Sequence, residues 1–391
     1  MFFKKYKTII LSIVFTLIFV FLAEGLFLGK HLKSVLKLTQ VIQLLDKNFY
    51  FALNEEDLVD YAITGMTLAT EDEYTNYYSA SDFKKYINSS QNTYVGIGVI
   101  IAAAENNENV EIISVTADSP SEKAGIKCND WLIAINGEEV FADDLDAVAE
   151  KIRGKGEDIG KSVILTIKRN SELFEIEVNK SSIEKDTVQS KILFDDLGYI
   201  KINSFDRKDK TDNSSTDTFD EFLSEMKYLN DKNIKKLVID LRNNPGGDLD
   251  VVSAIADYFL PECVITYTEN KQGKKEYIYS DEECVDMEIV VLVNENSASA
   301  SEILTGALKD WDKAEIVGTK TYGKGIVQTI FSLGDGSGMS VTTSKYYTPG
   351  GVCIHGIGIY PDYVIDFPEY NAMTPIEEDL QLQKAIEILK N

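Results

Sequence analysis

Hydrophobic and polar positions fall into three rhythms along this chain, and each rhythm predicts a different kind of element. Between about Ser34 and Ser90 the apolar residues recur at helical spacing. Leu36, Val41, Leu44 and Leu45 mark one amphipathic stretch, and Glu55 to Leu68 forms a second. From about Tyr94 to Glu184 the period shortens. Val110–Val115 alternates as a strand, and a short helix is predicted between Ser119-Pro120 and Ala124-Gly125. Asp130–Ile135 is a strand closed by the turn pair Asn136-Gly137. A helix follows at about Leu145–Ile152, then strands at Ser162–Lys168 and Phe174–Val178. From about Ser190 to Phe367 strands alternate with helices. Leu197–Ile202, Lys236–Leu241, Glu288–Val293 and Ala314–Gly318 are predicted strands, and Asp248–Leu260 and Ser299–Asp310 predicted helices. The valine-rich run 288–293 suits a strand buried on both faces. Such alternation implies βαβ units, a mainly parallel sheet, and a site at the carboxyl ends of its strands. The polar stretch Lys208–Thr218 predicts a loop.

The N-terminus differs from all three. Lys4, Lys5 and Lys7 precede an apolar run from Ile9 to Ala23, followed by Glu24, Gly25 and the apolar Leu26 to Leu28. A membrane-spanning helix needs about 20 residues, which this run reaches with Glu24 near the outer interface. The lysines favour a cytoplasmic N-terminus. The expectation is a single-pass anchor with the body outside the cytoplasm. The alternative is a signal peptide cleaved near Ala23 or Gly25 and a secreted body. The predicted organisation is a basic stub and transmembrane anchor at 1–30, a helical dimerisation region at 31–93, a β-rich domain at 94–184, an α/β core at 185–368 and a C-terminal helical segment at 369–391. The arm and the predicted helix from Pro375 to Lys390 point to a homodimer.

Composition narrows the chemistry. A net charge of −25 repels phosphates, which argues against nucleic acid as a partner. Cys128, Cys263, Cys284 and Cys353 have no metal-ligand spacing, and His31 and His355 are the whole histidine complement. Neither a metal nor another cofactor is expected. Cys263 and Cys284 flank a hairpin-like segment that a disulfide would suit.

The candidate chemistry lies where Val293 to Glu302 joins a strand to a helix. Ser299 with Glu302 three residues on is a capping box. The same place suits a nucleophile, because free N–H groups at a helix start stabilise an oxyanion. The N–H of Ala300 is one donor there. Gly246 or Gly247, in the loop Leu241-Arg242-Asn243-Asn244-Pro245-Gly246-Gly247, is a candidate second. A serine hydroxyl needs a base. His31 lies beside the apolar N-terminal run. His355 remains open, and so does Lys324 in Thr321-Tyr322-Gly323-Lys324-Gly325. On a strand through Ile326-Val327, Lys324 and Gln328 would share a face, letting Gln328 orient the amine. By composition alone, Lys324 reads more readily as an exposed lysine in a glycine-rich turn. In the β-rich domain, Gly96 and Gly98 within Val95-Gly96-Ile97-Gly98-Val99 allow N–H groups to converge as a nest for a peptide carboxylate.

The order of elements over 94–184, with Ser-Pro-Ser-Glu-Lys-Ala-Gly-Ile and Asn-Asp-Trp-Leu-Ile-Ala-Ile-Asn-Gly, resembles a PDZ domain. Leu-Arg-Asn-Asn-Pro-Gly-Gly, Asn-Glu-Asn-Ser-Ala-Ser-Ala-Ser-Glu-Ile and Gly-Thr-Lys-Thr-Tyr-Gly-Lys-Gly-Ile-Val-Gln together resemble the carboxy-terminal processing (tail-specific) serine peptidases. The resemblance runs from the helical arm to His-Gly-Ile-Gly-Ile-Tyr-Pro-Asp at 355–362. It departs in the arm, where Leu-Ala-Thr-Glu-Asp-Glu-Tyr-Thr at 68–75 replaces the more usual Leu-Asp-Pro-Tyr-Thr. It implies a multi-domain α/β fold, a crotonase-like ββα core with an inserted PDZ domain and an N-terminal helical arm. It also implies a serine endopeptidase with Ser299 as nucleophile, Lys324 as base, Gln328 positioning the lysine and Glu302 at a recurrent acidic position. Expected substrates are proteins or peptides with apolar C-termini docked on Val95–Val99 and the neighbouring groove. Arg153, after the second PDZ helix, is a candidate sensor of bound peptide, or else a solvent-exposed helix-end cation. Two rivals stand beside this: a catalytically silent PDZ tether, and a Ser299–His355 hydrolase. A chymotrypsin-like PDZ protease would need a Gly-Asn-Ser-Gly-Gly segment, which this chain lacks.

Overall fold

A computed structural model describes residues 29, 31–89, 93–104, 109–116, 119–154, 156–184, 187–207, 216–367 and 374–390. The expected anchor lies outside the described residues. Among the described residues no helix is long and apolar enough to cross a membrane.

The chain divides into two compact units. The first holds residues up to Ser79 together with Phe331–Ser340. Its helices are Leu32–Asn48 and Glu55–Leu68. The second helix is capped by Asn54, whose side chain accepts the Glu56 N–H, and it opens on Glu55, Glu56 and Asp57, where negative charge suits the helix dipole. The first helix buries none of its residues, and Leu36, Val41 and Leu44 are exposed. A short strand, Asn76–Tyr78, pairs antiparallel with Gly338–Ser340.

The second unit contains a PDZ-like sheet and a larger α/β core. The small sheet runs in the order 99–103, 110–115, 130–135, 162–169, 172–179, with every neighbouring pair antiparallel. Its alternating positions Ile112, Leu132, Leu165 and Ile167 are buried with Ile97 and Val148 of the helix Leu145–Ile152. The predicted turn forms, with Asn136 and Gly137 both at positive φ, which its tight geometry requires.

The larger sheet has the order 188–194, 197–202, 236–240, 288–293, 314–318, 363–364. Only its first pair is antiparallel. One face packs on the helices Thr218–Asp231, Leu249–Phe259 and Ala300–Asp310, the other on Leu380–Lys390. A second sheet carries the hairpin Val264–Asn270/Lys275–Tyr279, whose first strand pairs antiparallel with residues 344–347. The hairpin lies between Cys263 and Cys284 as expected, but the two thiols are free. Cys263 Sγ instead sits 3.3 Å from Ser280 Oγ, and Cys284 is exposed. Of the expected loop Lys208–Thr218, residues 208–215 lie outside the described residues, and a helix begins at Thr218, where Asp217 and Asp220 form a capping box and Phe222, Met226 and Leu229 bury one face.

Register sets up the site. Asp240 lies beside Leu292, and Val293 beside Gly318. Three adjacent parallel strands therefore end together and release three neighbouring loops, 241–247, 294–299 and 319–325.

Candidate active site

The three serines of the 294–301 segment have different fates. Ser297 is fully buried. Its Oγ donates to the Leu241 carbonyl at 2.8 Å and accepts the Asn294 N–H at 2.9 Å. Ser301 is also fully buried and donates to the Asn244 carbonyl at 2.9 Å. Both tie this loop to the 241–247 loop. Ser299 is half-buried, and its hydroxyl makes no capping hydrogen bond. Its backbone holds φ 54° and ψ −113°. A non-glycine residue in that region is strained, and such strain gathers where a side chain must be aimed. The first-turn amides of Glu302 and Ile303 are satisfied by the Ser299 carbonyl, at 2.9 and 3.1 Å, rather than by its hydroxyl.

Gly246 packs directly against this turn. A Cβ on it would lie 2.7 Å from Ser299 Cβ and 2.9 Å from the Ala300 nitrogen, and its φ is 105°. Only glycine fits. Its N–H, however, donates to Asn244 Oδ1 at 2.8 Å. Of the two glycines offered as second oxyanion donor, Gly246 is thus committed inside its own loop, and Gly247 remains. Gly247, with φ 149°, is held by main-chain bridging to Phe205. Ala300 is 1% exposed and opens the helix, its nitrogen 2.9 Å from where a Cβ on Gly246 would lie.

The third loop reaches the serine through Glu302, a fully buried carboxylate. Its Oε1 accepts Thr321 Oγ1 at 2.6 Å and the Gly323 N–H at 2.8 Å. Its Oε2 accepts the Lys324 N–H at 2.8 Å and the Ser299 N–H at 2.9 Å. One carboxylate thereby fixes the main chain of Ser299 and of Lys324 at once. Burial pushes the Glu302 pKa up, while the four hydrogen bonds pull it back. Lys324 is half-buried, and burial pushes its amine pKa down. The strand carrying Gln328 begins only at Ile326, so Lys324 sits in the loop before it. The shared strand face expected for the two residues is therefore not formed. Gln328 Nε2 is buried without a hydrogen-bond partner.

His355 is exposed. A Cβ on Gly325 would fall 2.3 Å from the His355 nitrogen, so the histidine's main chain, not its imidazole, buttresses the lysine loop.

In the small sheet, residues 96–101 and the helix Leu145–Ile152 line a groove of roughly 990 Å³, with Arg153 at its rim. The edge strand Val99–Ala103 forms one wall. Gly98 takes φ 83°, and a Cβ there would meet Ser119 Cβ at 2.3 Å. Gly96 keeps ordinary φ and ends the strand Thr93–Gly96, so the nest is left to the Ile97–Gly98 step. Gln189 and Asn203 of the α/β core also line this groove, which the pattern of the small domain alone does not reveal.

Strand-end loops that present a strained serine at a helix start suit a serine hydrolase, here joined to a small β-rich domain. Residues 196–365 match peptidase family S41, and residues 111–169 match the PDZ domain. The chain is 35% identical over 377 residues to a probable CtpA-like serine protease of Staphylococcus epidermidis, covering 95% of this chain and 73% of that one. It is 34% identical over 376 residues to a probable CtpA-like serine protease of Staphylococcus aureus, covering 94% and 73%. The protein belongs to peptidase family S41 and is a serine peptidase with a PDZ domain. The fold is shared with the photosystem II D1 C-terminal processing protease, at TM-score 0.53, 23% identity, and 91% and 97% coverage of the two chains. A putative S41 protease from Bacteroides fragilis gives TM-score 0.59 at 15% identity, with 90% and 97% coverage.

Proposed function

We propose that the protein is an endopeptidase that captures the C-terminal tails of protein substrates in its PDZ groove and cleaves near them with a Ser299–Lys324 dyad. The observation that carries this reading is the Glu302 carboxylate, which holds the main-chain N–H groups of both residues.

The tail pairs with the edge strand Val99–Ala103, its apolar side chains fill the groove beside Leu145, Ala149 and Ile152, and its carboxylate sits at Ile97–Gly98. At the core, Ser299 Oγ attacks the scissile carbonyl carbon while its proton passes to the neutral amine of Lys324. Charge moves to the carbonyl oxygen, where the N–H groups of Ala300 and Gly247 and the positive end of the helix stabilise it. Collapse breaks the C–N bond, and the Lys324 ammonium returns its proton to the leaving amine. Water, deprotonated by the same amine, then releases the acyl group from Ser299 as a carboxylic acid. Gln328 orients the amine. Arg153 reports an occupied groove to the core, from which Gln189 and Asn203 border the same space.

Ser299→Ala and Lys324→Ala are expected to abolish cleavage of a C-terminally labelled protein, with His355→Ala leaving it intact. Full activity in folded Lys324→Ala sinks the dyad. Loss in His355→Ala instead moves the base to the histidine, and no hydrolysis by the wild type leaves a peptide-binding tether. The apolar run from Ile9 to Ala23 anchors the chain with its body outside the cytoplasm, tested by protease digestion of the body in intact cells. The arm and C-terminal helix join two copies, tested by sedimentation equilibrium.

A further inference from the structure

The loop that carries Gly246 and Gly247 is conformationally expensive. Asn243, Gly246 and Gly247 all hold positive φ. Such a loop keeps its shape only where its surroundings over-determine it. Two of its anchors come from the serine loop, where Asn294 Oδ1 accepts the Asn243 N–H at 2.8 Å and the Ala298 N–H donates to the Asn244 carbonyl at 3.0 Å. The third comes from beneath. Arg242, immediately before the loop, is 1% exposed. Its carbonyl accepts Lys201 Nζ at 2.7 Å. Its guanidinium is clamped on one side by Asp240, at 2.6 Å to Nη2. On the other side the partner comes from 137 residues downstream: Asp379 takes Nη1 at 2.9 Å and Nη2 at 2.8 Å as a bidentate pair. Gln381 Oε1 adds a contact to Nη1 at 3.1 Å.

Charge makes Asp379 more than a tether. Lys201 and Arg242 supply two buried cations, Asp240 and Asp379 two carboxylates, and Tyr199 donates to Asp240 at 2.7 Å. Asp379 is one of two carboxylates paired with the buried Arg242 guanidinium, and removing its charge lets that cation shift toward whatever other anion or water it can reach. Asp379 also accepts the Leu382 N–H at 3.0 Å at the start of the helix Leu380–Lys390, so its carboxylate is itself held in place.

We infer that Asp379 is a positioning residue for catalysis: the C-terminal segment, acting through Arg242, sets the loop that aims the Gly247 N–H at the oxyanion. This rests on the Ser299 and Gly247 assignments made above. It makes a segment that contacts no substrate a requirement for the chemical step.

The experiment compares Asp379→Asn, Asp379→Glu and Gln381→Ala with Leu382→Ala. The last removes a core contact of the same helix without touching Arg242. Each is measured for kcat and KM on a peptide substrate, for inhibition by a peptidyl boronic acid that forms a tetrahedral adduct on serine, and for melting temperature. Asp379→Asn is expected to lower kcat roughly 10- to 100-fold with KM unchanged, and to weaken the boronate by the same factor, since misaimed oxyanion donors cost on that order. Asp379→Glu recovers part of the loss. Gln381→Ala shows a several-fold effect in the same direction, and decides the matter alone if Asp379→Asn does not fold. Leu382→Ala lowers the melting temperature with kcat and boronate affinity intact. Wild-type kcat and boronate affinity in Asp379→Asn, or in Gln381→Ala where only that variant folds, overturn the inference. So does an equal kcat loss in Leu382→Ala. Activity persisting in Ser299→Ala is a separate result, since it removes the nucleophile assignment rather than the role of Asp379.

Discussion

Replacing Glu302 with glutamine removes one charge and changes almost no volume, yet it is expected to stop the enzyme. The carboxylate accepts four donors, from Ser299, Thr321, Gly323 and Lys324, at 2.6–2.9 Å. A glutamine has a single acceptor oxygen. Placed toward Thr321 and Gly323, it turns an amide NH2 toward the N–H groups of Ser299 and Lys324, donor against donor. Two buried donors lose their partner at about 1–3 kcal/mol each, so about 2–6 kcal/mol in all. Part of that is recovered, because burial already disfavours the ionised carboxylate, which places the net loss toward the lower end. At roughly 2–4 °C per kcal/mol the melting temperature falls by several degrees. The expected kinetic effect is larger, because the two residues the carboxylate aligns are the proposed reacting pair. A displacement of about 1 Å costs on the order of 10²-fold. The assay is kcat on a fluorogenic peptide across pH, beside a thermal melt. The pH dependence has a definite sign. The folded carboxyl pKa lies above its ordinary value, so the stability it contributes is present below the unfolded pKa and is lost as pH rises through the folded one. Activity runs the other way, requiring the ionised acceptor and failing as pH drops through that raised pKa. Glu302→Gln is expected to erase this acid limb. Wild-type kcat in Glu302→Gln, with a melt within a degree of the parent, refutes the reasoning.

As the proposed base, Lys324 gives a second ascending limb at higher pH: because burial lowers its pKa, kcat/KM should rise with pH and level off below the ordinary lysine value, and Lys324→Arg should be inactive throughout. Its burial costs stability while it is charged, a cost relieved as pH climbs from the folded to the unfolded pKa, so Lys324→Met should flatten that part of a pH–melt curve. Gly246→Ala should lose on the order of 10²-fold in kcat, since its Cβ would meet the Ala298 oxygen and Ser299 Cβ, each at 2.7 Å; wild-type kinetics there would place the oxyanion site elsewhere. Gly98→Ala should abolish binding of a tail peptide, measured by fluorescence anisotropy, while hydrolysis of a short peptide that bypasses the PDZ groove persists; retained tail binding would move the carboxylate site away from Ile97–Gly98.

Local pattern carried the elements whose burial is regular. Val110–Val115 alternates because one face is less buried, the run Ile289–Val293 is continuously apolar because it is buried throughout, and the strands Val110–Val115 and Glu288–Val293 have the bounds their patterns predict. The strand Gly338–Tyr347 and the hairpin strand Val264–Asn270 give no such signal. They are rich in Tyr, Thr and Ser, and their tyrosines pack by ring stacking, as in the parallel pair Tyr267–Tyr347 at 4.8 Å, rather than by aliphatic alternation. Within the site, Ser299 was singled out among three serines by family resemblance. The physical distinction, that Ser297 and Ser301 spend their hydroxyls on carbonyls of the 241–247 loop, exists only once the loops are brought together. The choice between Gly246 and Gly247 turned on the Asn244 side chain, two residues away, and no spacing rule contains that. The strand-face argument linking Lys324 to Gln328 failed because glycines on both sides of Lys324 delay the strand to Ile326.

The resemblance marks Glu302 only as a recurrent acidic position, and the residues alone show it only as a cap, a role that hides its larger one. A capping box places a carboxylate at the third position of a helix to reach back to the N-cap N–H, and Glu302 does so. That contact uses part of one oxygen, and the rest reaches across to the lysine loop. What it reaches there is the main chain: the N–H groups of Gly323 and Lys324 and the Thr321 hydroxyl. Burial is the cause that lowers the Lys324 pKa. A carboxylate paired with the amine would raise that pKa and hold the proton a general base must lack. Spending the charge of Glu302 on backbone amides fixes the main chains of Ser299 and Lys324 together, and under the proposed mechanism it does so without raising the lysine pKa. Under that mechanism, this division lets a chain with two histidines run serine chemistry on an amine.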